Sequence, residues 1–141
     1  VRYDAWFGAV RERPESAEAL RREAAGLLAG PAPWVWLAER DGTPAGMVAA
    51  ERPAAAQWIA PLALPSPVAY LMMMYVEPGE RGSGVGAALA RRLHGDIDAA
   101  GVPVTLLHYA QVNPLSAPFW SQQGYRPLWT SWEAVPAGTL R

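Results

Sequence analysis

A chain of 141 residues suits a single domain, and with 51% hydrophobic and 18% charged residues it has ample material for a core and too much for a disordered chain. A net charge of −1, with every basic residue Arg and no basic stripe, argues against a nucleic-acid partner. Without Cys there is neither a disulfide framework nor a thiolate metal site, and two His are too few for a His-rich one, so no metal is expected.

No apolar run is long enough to span a bilayer, and Val1-Arg2-Tyr3-Asp4 does not read as a signal peptide. The expectation is a cytoplasmic protein with no membrane partner. The chain does not open on Met, which suggests part of a longer one.

Tyr3, Trp6, Phe7 and Val10 recur at helical spacing and predict an amphipathic helix over 2–12, closed by Pro14. Ser16 is the expected N-cap of a second helix, with Leu20, Ala24, Leu27 and Leu28 on its apolar face and Gly30-Pro31 as its stop. Trp34–Glu39 and Gly46–Glu51 read as strands joined by a hairpin turn at Asp41-Gly42. Residues 53–67 read as a long loop carrying Trp58. The apolar run Val68–Val76 predicts a central strand buried on both faces.

After a loop at Glu77–Gly84, Val85, Leu89, Leu93 and Ile97 predict a helix that ends at Gly101. Val104–Tyr109 reads as a buried strand, Asn113–Gln123 as a short helix closed by Gly124, and Arg126–Val135 as a last strand with Trp129 and Trp132 on opposite faces. The order α-α-β-β-β-α-β-α-β predicts an α/β layered domain with a mixed sheet over 1–141.

Chemistry concentrates in Arg81-Gly82-Ser83-Gly84-Val85-Gly86. A Gly-rich loop that leaves a buried strand and opens a helix presents unpaired backbone N–H groups with little bulk in front of them. Such a helix start attracts phosphate. The dipole contribution is about 0.3–1 kcal/mol per surface charge. No Lys-Ser/Thr follows, so this is not a Walker loop, and the evenly spaced Gly82, Gly84 and Gly86 lack the dinucleotide fingerprint. Taken alone, the loop reads equally as a Gly-rich strand-to-helix turn.

Val76-Glu77-Pro78 followed by Arg81-x-x-Gly84-x-Gly86-Ala87 resembles the acyl-CoA signature of GCN5-related N-acetyltransferases (GNAT). A second segment, Asn113, Ser116, Phe119, Trp120, Gly124 and Tyr125, is similar to that family's cofactor helix in its spacing. The resemblance covers about residues 34–135. It implies a mostly antiparallel mixed sheet flanked by helices, with acetyl-CoA or another acyl-CoA as cosubstrate. The usual first strand is missing, which suggests an N-terminally incomplete domain or half of a tandem protein.

By position, the resemblance places the backbone of Met74, Tyr75 and Val76 against the pantetheine arm. Arg81, Gly82, Ser83, Gly84, Val85, Gly86 and Ala87 take the pyrophosphate, and Asn113, Ser116, Phe119 and Trp120 line the cofactor. A backbone N–H near Met74 is placed to polarise the thioester carbonyl.

Trp120 departs from the family, which commonly has Tyr there as the acid for the leaving thiolate. Indole N–H is no acid at neutral pH, and loss of a general acid costs about 10²–10⁴-fold. Tyr70, His108 and Glu51 are the alternative catalytic candidates. Each also has a structural reading: Tyr70 as packing with a polar tip, His108 as a hydrogen-bonded group in or beside the core, Glu51 as a solvated strand end. His94 reads as exposed. The Met residues read as core filler or pocket wall. Trp34, Trp36, Trp58, Trp129 and Trp132 are core or acceptor-site candidates, with 53–67 as a lid that brings Trp58 to the substrate.

The implied function is N-acetyl transfer from acetyl-CoA to a primary amine of a small molecule or peptide, by direct attack in a ternary complex. The absence of Cys removes one covalent nucleophile. The alternatives are a non-catalytic acyl-CoA-binding or sensing module and a structural half of a tandem acetyltransferase. Homodimer pairing through the last strand, or contact with a missing N-terminal domain, completes the partner expectations.

Overall fold

The computed structural model describes residues 14–30, 34–111 and 113–130. The helix expected over 2–12, Trp132 and the end of the last expected strand lie outside the described residues. The first described helix, α1 (Pro14–Ala29), starts two residues before the expected cap at Ser16. Pro14 therefore opens this helix: its ring presets φ, and the N–H it lacks would have been unpaired in the first turn.

Strands β1 (Trp34–Arg40) and β2 (Thr43–Glu51) form the expected hairpin. Asp41 (φ 50°) and Gly42 (φ 75°) both take left-handed conformations, as a two-residue turn that follows the strand twist requires. The register shift at Ala38/Glu39 admits Pro44, which has no N–H for an unbroken ladder. The loop at 53–67 is more ordered than expected. It forms two 3-10 turns, Ala56–Trp58 and Ala60–Leu62, because Ala56 and Ile59 bury completely against the sheet.

β3 (Val68–Val76) lies antiparallel to β2 and parallel to β4 (Val104–Leu107), which gives sheet order β1-β2-β3-β4. The parallel pair is joined by a third 3-10 turn, Pro78–Glu80, and helix α2 (Val85–Ala99), since a parallel step needs a crossover. The β3–β4 ladder runs only from Val68/Val104 to Leu71/Leu107. Opposite it, the β2–β3 register slips between Ala49/Ala50, so Met72 is an extra residue in β3. A bulge of this kind bends its strand. Beyond it β3 separates from β4, and the sheet is open between them.

That opening corrects two expectations. β3 is buried on both faces only in its first half, and from Met72 to Val76 it is half-buried or exposed. β4 stops at Leu107, so His108 and Tyr109 lie past the strand. The last strand is also corrected in its described part: residues 126–130 carry no ladder. Pro127 has no donor, and the Arg126 guanidinium turns back to the carbonyls of Ser121 (3.1 Å) and Tyr125 (2.7 Å).

Alternation along the strands splits the core between the two faces. Ala50, Ala69 and Leu71 pack with Leu89, Leu93 and Ile97 of α2 and with Trp120 of α3 (Ser116–Gln122). Val68 and Leu106 point the other way, into a smaller cluster with Ala56 and Ile59. Burying each large aliphatic side chain contributes about 1.5–3 kcal/mol.

Both later helices end in the same way. Gly101 (φ 68°) and Gly124 (φ 92°) are left-handed, and the next N–H closes back on the helix: Val102 to the Ile97 carbonyl, Tyr125 to the Trp120 carbonyl. The expected start of α3 at Asn113 moves to Ser116, because 113–115 form a turn in which Asn113 Oδ1 accepts the Leu115 N–H at 3.0 Å. Pro118 is tolerated in the first helical turn, where its N–H has no partner to lose.

Candidate active site

The Gly-rich loop leaves β3 where Val76 pairs with Gly46 and the Glu77 N–H bonds to the Ala45 carbonyl at 2.9 Å. Gly46 permits this approach: a Cβ there would stand 2.7 Å from the Tyr75 carbonyl oxygen and press on Val85 and Leu89. The loop then reaches Gly84 (φ 92°), a left-handed N-cap with no side-chain bond to the first turn of α2. The N–H groups that open α2 thus lack a side-chain cap and are free to meet an anion.

A cleft of about 610 Å³ lies between this loop, the free half of β3 and α3. That size suits a small-molecule or cofactor site. The structure brings Met74, Tyr75, Val76, Arg81, Gly82, Gly84, Gly86, Ala87, Asn113, Ser116, Phe119 and Trp120 into its wall. Ser83 and Val85 are not part of the wall. The Ser83 hydroxyl donates to the Glu80 carbonyl at 2.6 Å, and the Val85 side chain packs on the core.

Glu80, Leu115, Gln122 and Gln123 complete the wall. None belongs to a spacing pattern that the sequence exposes. Glu80 would repel an anion, but Arg40 of β1 holds its carboxylate at 3.2 Å. Arg81 donates Nε–H to the Val76 carbonyl at 3.2 Å, so its two terminal nitrogens have no partner among the described residues. Gly86 brings α2 against α3: a Cβ there would lie 3.2 Å from the Phe119 ring.

Trp120 is 8% exposed, with its ring edge-on to Phe119 (4.8 Å) and Tyr125 (5.3 Å). Behind it, His94 Nε2 lies 3.0 Å from the Tyr125 hydroxyl. His94 is therefore half-buried and bonded, contrary to the exposed position expected. Burial holds its pKa below the ordinary value, partly offset by Asp98. Burial also pushes the Tyr125 phenol well up, partly offset by a hydrogen bond with Thr105, so Tyr125 stays protonated.

The three catalytic candidates meet on the opposite face. Glu51 and Tyr70 are ladder partners, and the Tyr70 hydroxyl lies 3.1 Å from His108 Nδ1. His108 is hydrogen-bonded beside the smaller core cluster, and it is exposed rather than within the core because β4 ends one residue before it. Trp58 donates its indole N–H to Glu51 Oε2 at 2.9 Å, so Glu51 is a held, half-buried carboxylate and not a solvated strand end. The Trp58 ring is edge-on to Tyr70 (4.9 Å) and nearly parallel to His108 (6.3 Å), and Trp129 meets His108 edge-on at 5.9 Å. Burial first, then the Glu51 charge, raise the Tyr70 pKa, so Tyr70 acts here as a neutral hydroxyl.

Trp34 and Trp36 are structural. Trp34 is a core residue with Arg52 over its ring, and Trp36 donates to Asp96 of α2 at 2.6 Å beneath Arg92. Among the described residues no group of His, Cys, Asp and Glu could hold a metal ion, and no helix is long and apolar enough to cross a membrane.

The model of the acetyltransferase (GNAT) family matches residues 2–125. The chain belongs to that family. No curated protein matches it in sequence. Among solved GNAT-like folds it is similar to aminoglycoside N-acetyltransferase AAC(6')-Iy in complex with CoA, at 19% identity over 86% of this chain and 91% of that one, with a TM-score of 0.65. It is similar also to aminoglycoside 6'-N-acetyltransferase AAC(6')-IG from Acinetobacter haemolyticus, at 20% identity, 94% and 88% coverage and a TM-score of 0.69. A third likeness is to ribosomal-protein-alanine N-acetyltransferase from Brucella melitensis, at 21% identity, 85% of both chains and a TM-score of 0.59. Membership makes this an acyl-CoA-dependent N-acetyltransferase fold.

Proposed function

We propose that this protein transfers an acetyl group from acetyl-CoA to a primary amine by direct attack in a ternary complex. The observation that carries this reading is the gap between β3 and β4 beyond Leu71/Leu107, where the unpaired length of β3 forms a wall of the cleft beside the uncapped start of α2. The α2 N-terminus and Arg81 take the pyrophosphate. The free edge of β3 beyond Met72 offers backbone groups to the pantetheine arm, in the manner of an added strand. The thioester then lies at the gap, with a β3 N–H near Met74 to stabilise the oxyanion.

The acceptor approaches as an ammonium. When the proton of His108 sits on Nδ1 and is donated to Tyr70 Oη, Nε2 is free to take a proton from the ammonium. The neutral amine adds to the thioester carbonyl, the C–S bond breaks, and the products are the amide and CoA. Of the two protons lost by nitrogen, one ends on the CoA sulfur and the other in solvent. Trp120 has no acidic hydroxyl for the sulfur, so water or the base side delivers that proton.

The test is calorimetry of acetyl-CoA on the wild type and on Gly84→Glu, followed by release of free CoA thiol in the presence of amines. The chain has no Cys, so a thiol reagent reads product without protein background. Micromolar binding that the Glu variant loses, with amine-dependent thiol release, supports the reading. Binding without release by any amine would leave an acyl-CoA-binding module, and absence of binding would end the reading altogether.

A further inference from the structure

The cluster on the acceptor face is unlike a structural core. Trp58 is 57% exposed, yet its ring is held on two sides, by a T-shaped contact with Tyr70 at 4.9 Å and by its N–H bond to Glu51 at 2.9 Å. Core packing does not account for an exposed Trp held this firmly. Glu51 makes no ion pair among the described residues, and Oε1 has no partner there. The result is a single oriented carboxylate at the indole edge of Trp58, in the aromatic cluster of Trp58, Tyr70, His108 and Trp129.

Two features of this surface select a ligand. A lone carboxylate bordered by aromatic faces attracts one ammonium, through charge and through the negative ring faces. Among the described residues no second acid is bonded into this cluster, as a site for a polycation would require. The other acids with described side chains are Glu18 in α1, Glu39 and Asp41 in the β1–β2 hairpin, Glu77 and Glu80 in the phosphate loop, and Asp96 and Asp98 in α2. The second feature is apolar: Leu62, in the turn after Trp58, is 56% exposed.

We infer that the acceptor is a monocationic primary amine with an aromatic or apolar body, its ammonium at Glu51 and its body along Trp58. This rests on the acetyl-transfer reading above. It also sets the protein apart from its aminoglycoside-acetylating look-alikes, since an aminoglycoside carries several ammonium groups and no apolar body. Trp58 and Glu51 are then the residues that set acceptor specificity, and His108 is the group next to the reacting nitrogen.

The experiment measures CoA release with saturating acetyl-CoA and four probes: phenethylamine, tryptamine, spermidine and kanamycin. The full chain, Trp58→Ala and Glu51→Gln are compared. Trp58 is exposed enough for Ala to preserve the fold, and Gln keeps the shape of Glu and can still accept the indole N–H. The expected result is that phenethylamine or tryptamine has at least tenfold higher kcat/KM than spermidine or kanamycin. Either substitution then raises KM for that amine at least tenfold while the Kd of acetyl-CoA stays within twofold.

Preference for kanamycin or spermidine, KM values unmoved by both substitutions, or bound acetyl-CoA with no turnover of either arylalkylamine would each overturn the acceptor assignment alone. Failure to bind acetyl-CoA would overturn the underlying transfer reading instead.

Discussion

The two faces of the sheet solve recognition differently. The face under α2 and α3 is covered by two helices with matched Gly-closed ends, and its cleft offers mainly backbone: a free strand edge, an uncapped helix start and glycines at the points of closest approach. The face under residues 53–67 is covered by short 3-10 turns anchored through Ala56 and Ile59, and what it offers is side chains, with Trp58, Glu51, Tyr70 and His108 at the rim. Backbone recognition suits a ligand shared across a family, because it survives sequence drift. Side-chain recognition suits a partner that differs from protein to protein. A bulge at Met72 marks the point in β3 where its pairing with β4 has ended.

The contrast between the faces is tested most severely at Gly84. Its φ of 92° penalises any side chain by about 1–2 kcal/mol, and Glu adds a charge where phosphate would sit. Gly84→Glu is expected to weaken acetyl-CoA at least about 100-fold by calorimetry, with the near-UV spectrum of the Trp58 face unchanged. A change in that spectrum would mean that the faces are not separable.

Gly46→Ala places a methyl 2.7 Å from the Tyr75 carbonyl and must push β2 from β3. The expected loss, measured by urea unfolding, is about 1–3 kcal/mol, the usual cost of overpacking. Acetyl-CoA affinity should fall with it, because the shift moves the strand that borders the cleft.

Trp120→Tyr sharpens the contrast from the cofactor side. It returns a hydroxyl to the position where the family commonly has one. The expected outcome is a kcat increase of about tenfold, at the low end for a general acid because CoA thiolate is a fair leaving group. On the proposed placement of the acceptor at Glu51, KM for the amine should not change. An unchanged kcat would show that thiolate protonation does not limit turnover.

The smallest effect is at His94. Burial depresses its pKa in the folded state, so the unfolded chain binds more protons as pH falls. The stability it contributes is fully present above the ordinary His pKa and is lost as pH drops through the lowered one. The Tm should fall between pH 7.5 and 5.5, and His94→Gln, which keeps a bond to Tyr125, should flatten that slope by a degree or two at most (roughly what a few tenths of a kcal/mol does to Tm).

Much of the cofactor face is legible in the amino-acid sequence. The spacing of Val85, Leu89, Leu93 and Ile97 gives α2, and Gly84 and Gly124 mark a helix start and a helix end, because only glycine takes those left-handed positions without strain. The acceptor face is legible only as a set of residues. Glu51, Trp58, Tyr70 and His108 come from four segments, and no periodicity connects them. The last strand misleads because its alternation is real while Pro127 and the turned-back Arg126 deny it a ladder partner in the described part.

The sequence by itself determined the helix, the hairpin and the phosphate-type loop, because each depends on residues within a turn or two of one another: a left-handed glycine, a 3.6-residue apolar repeat, a missing donor. The tertiary structure decided where β3 parts from β4, that Arg40 pairs with Glu80, that His94 is half-buried against Tyr125, and that Trp58 stands beside Glu51 and His108. Those facts follow from strand register and from which face each side chain takes, and register is settled only when distant strands pair and a bulge shifts the alternation by one residue.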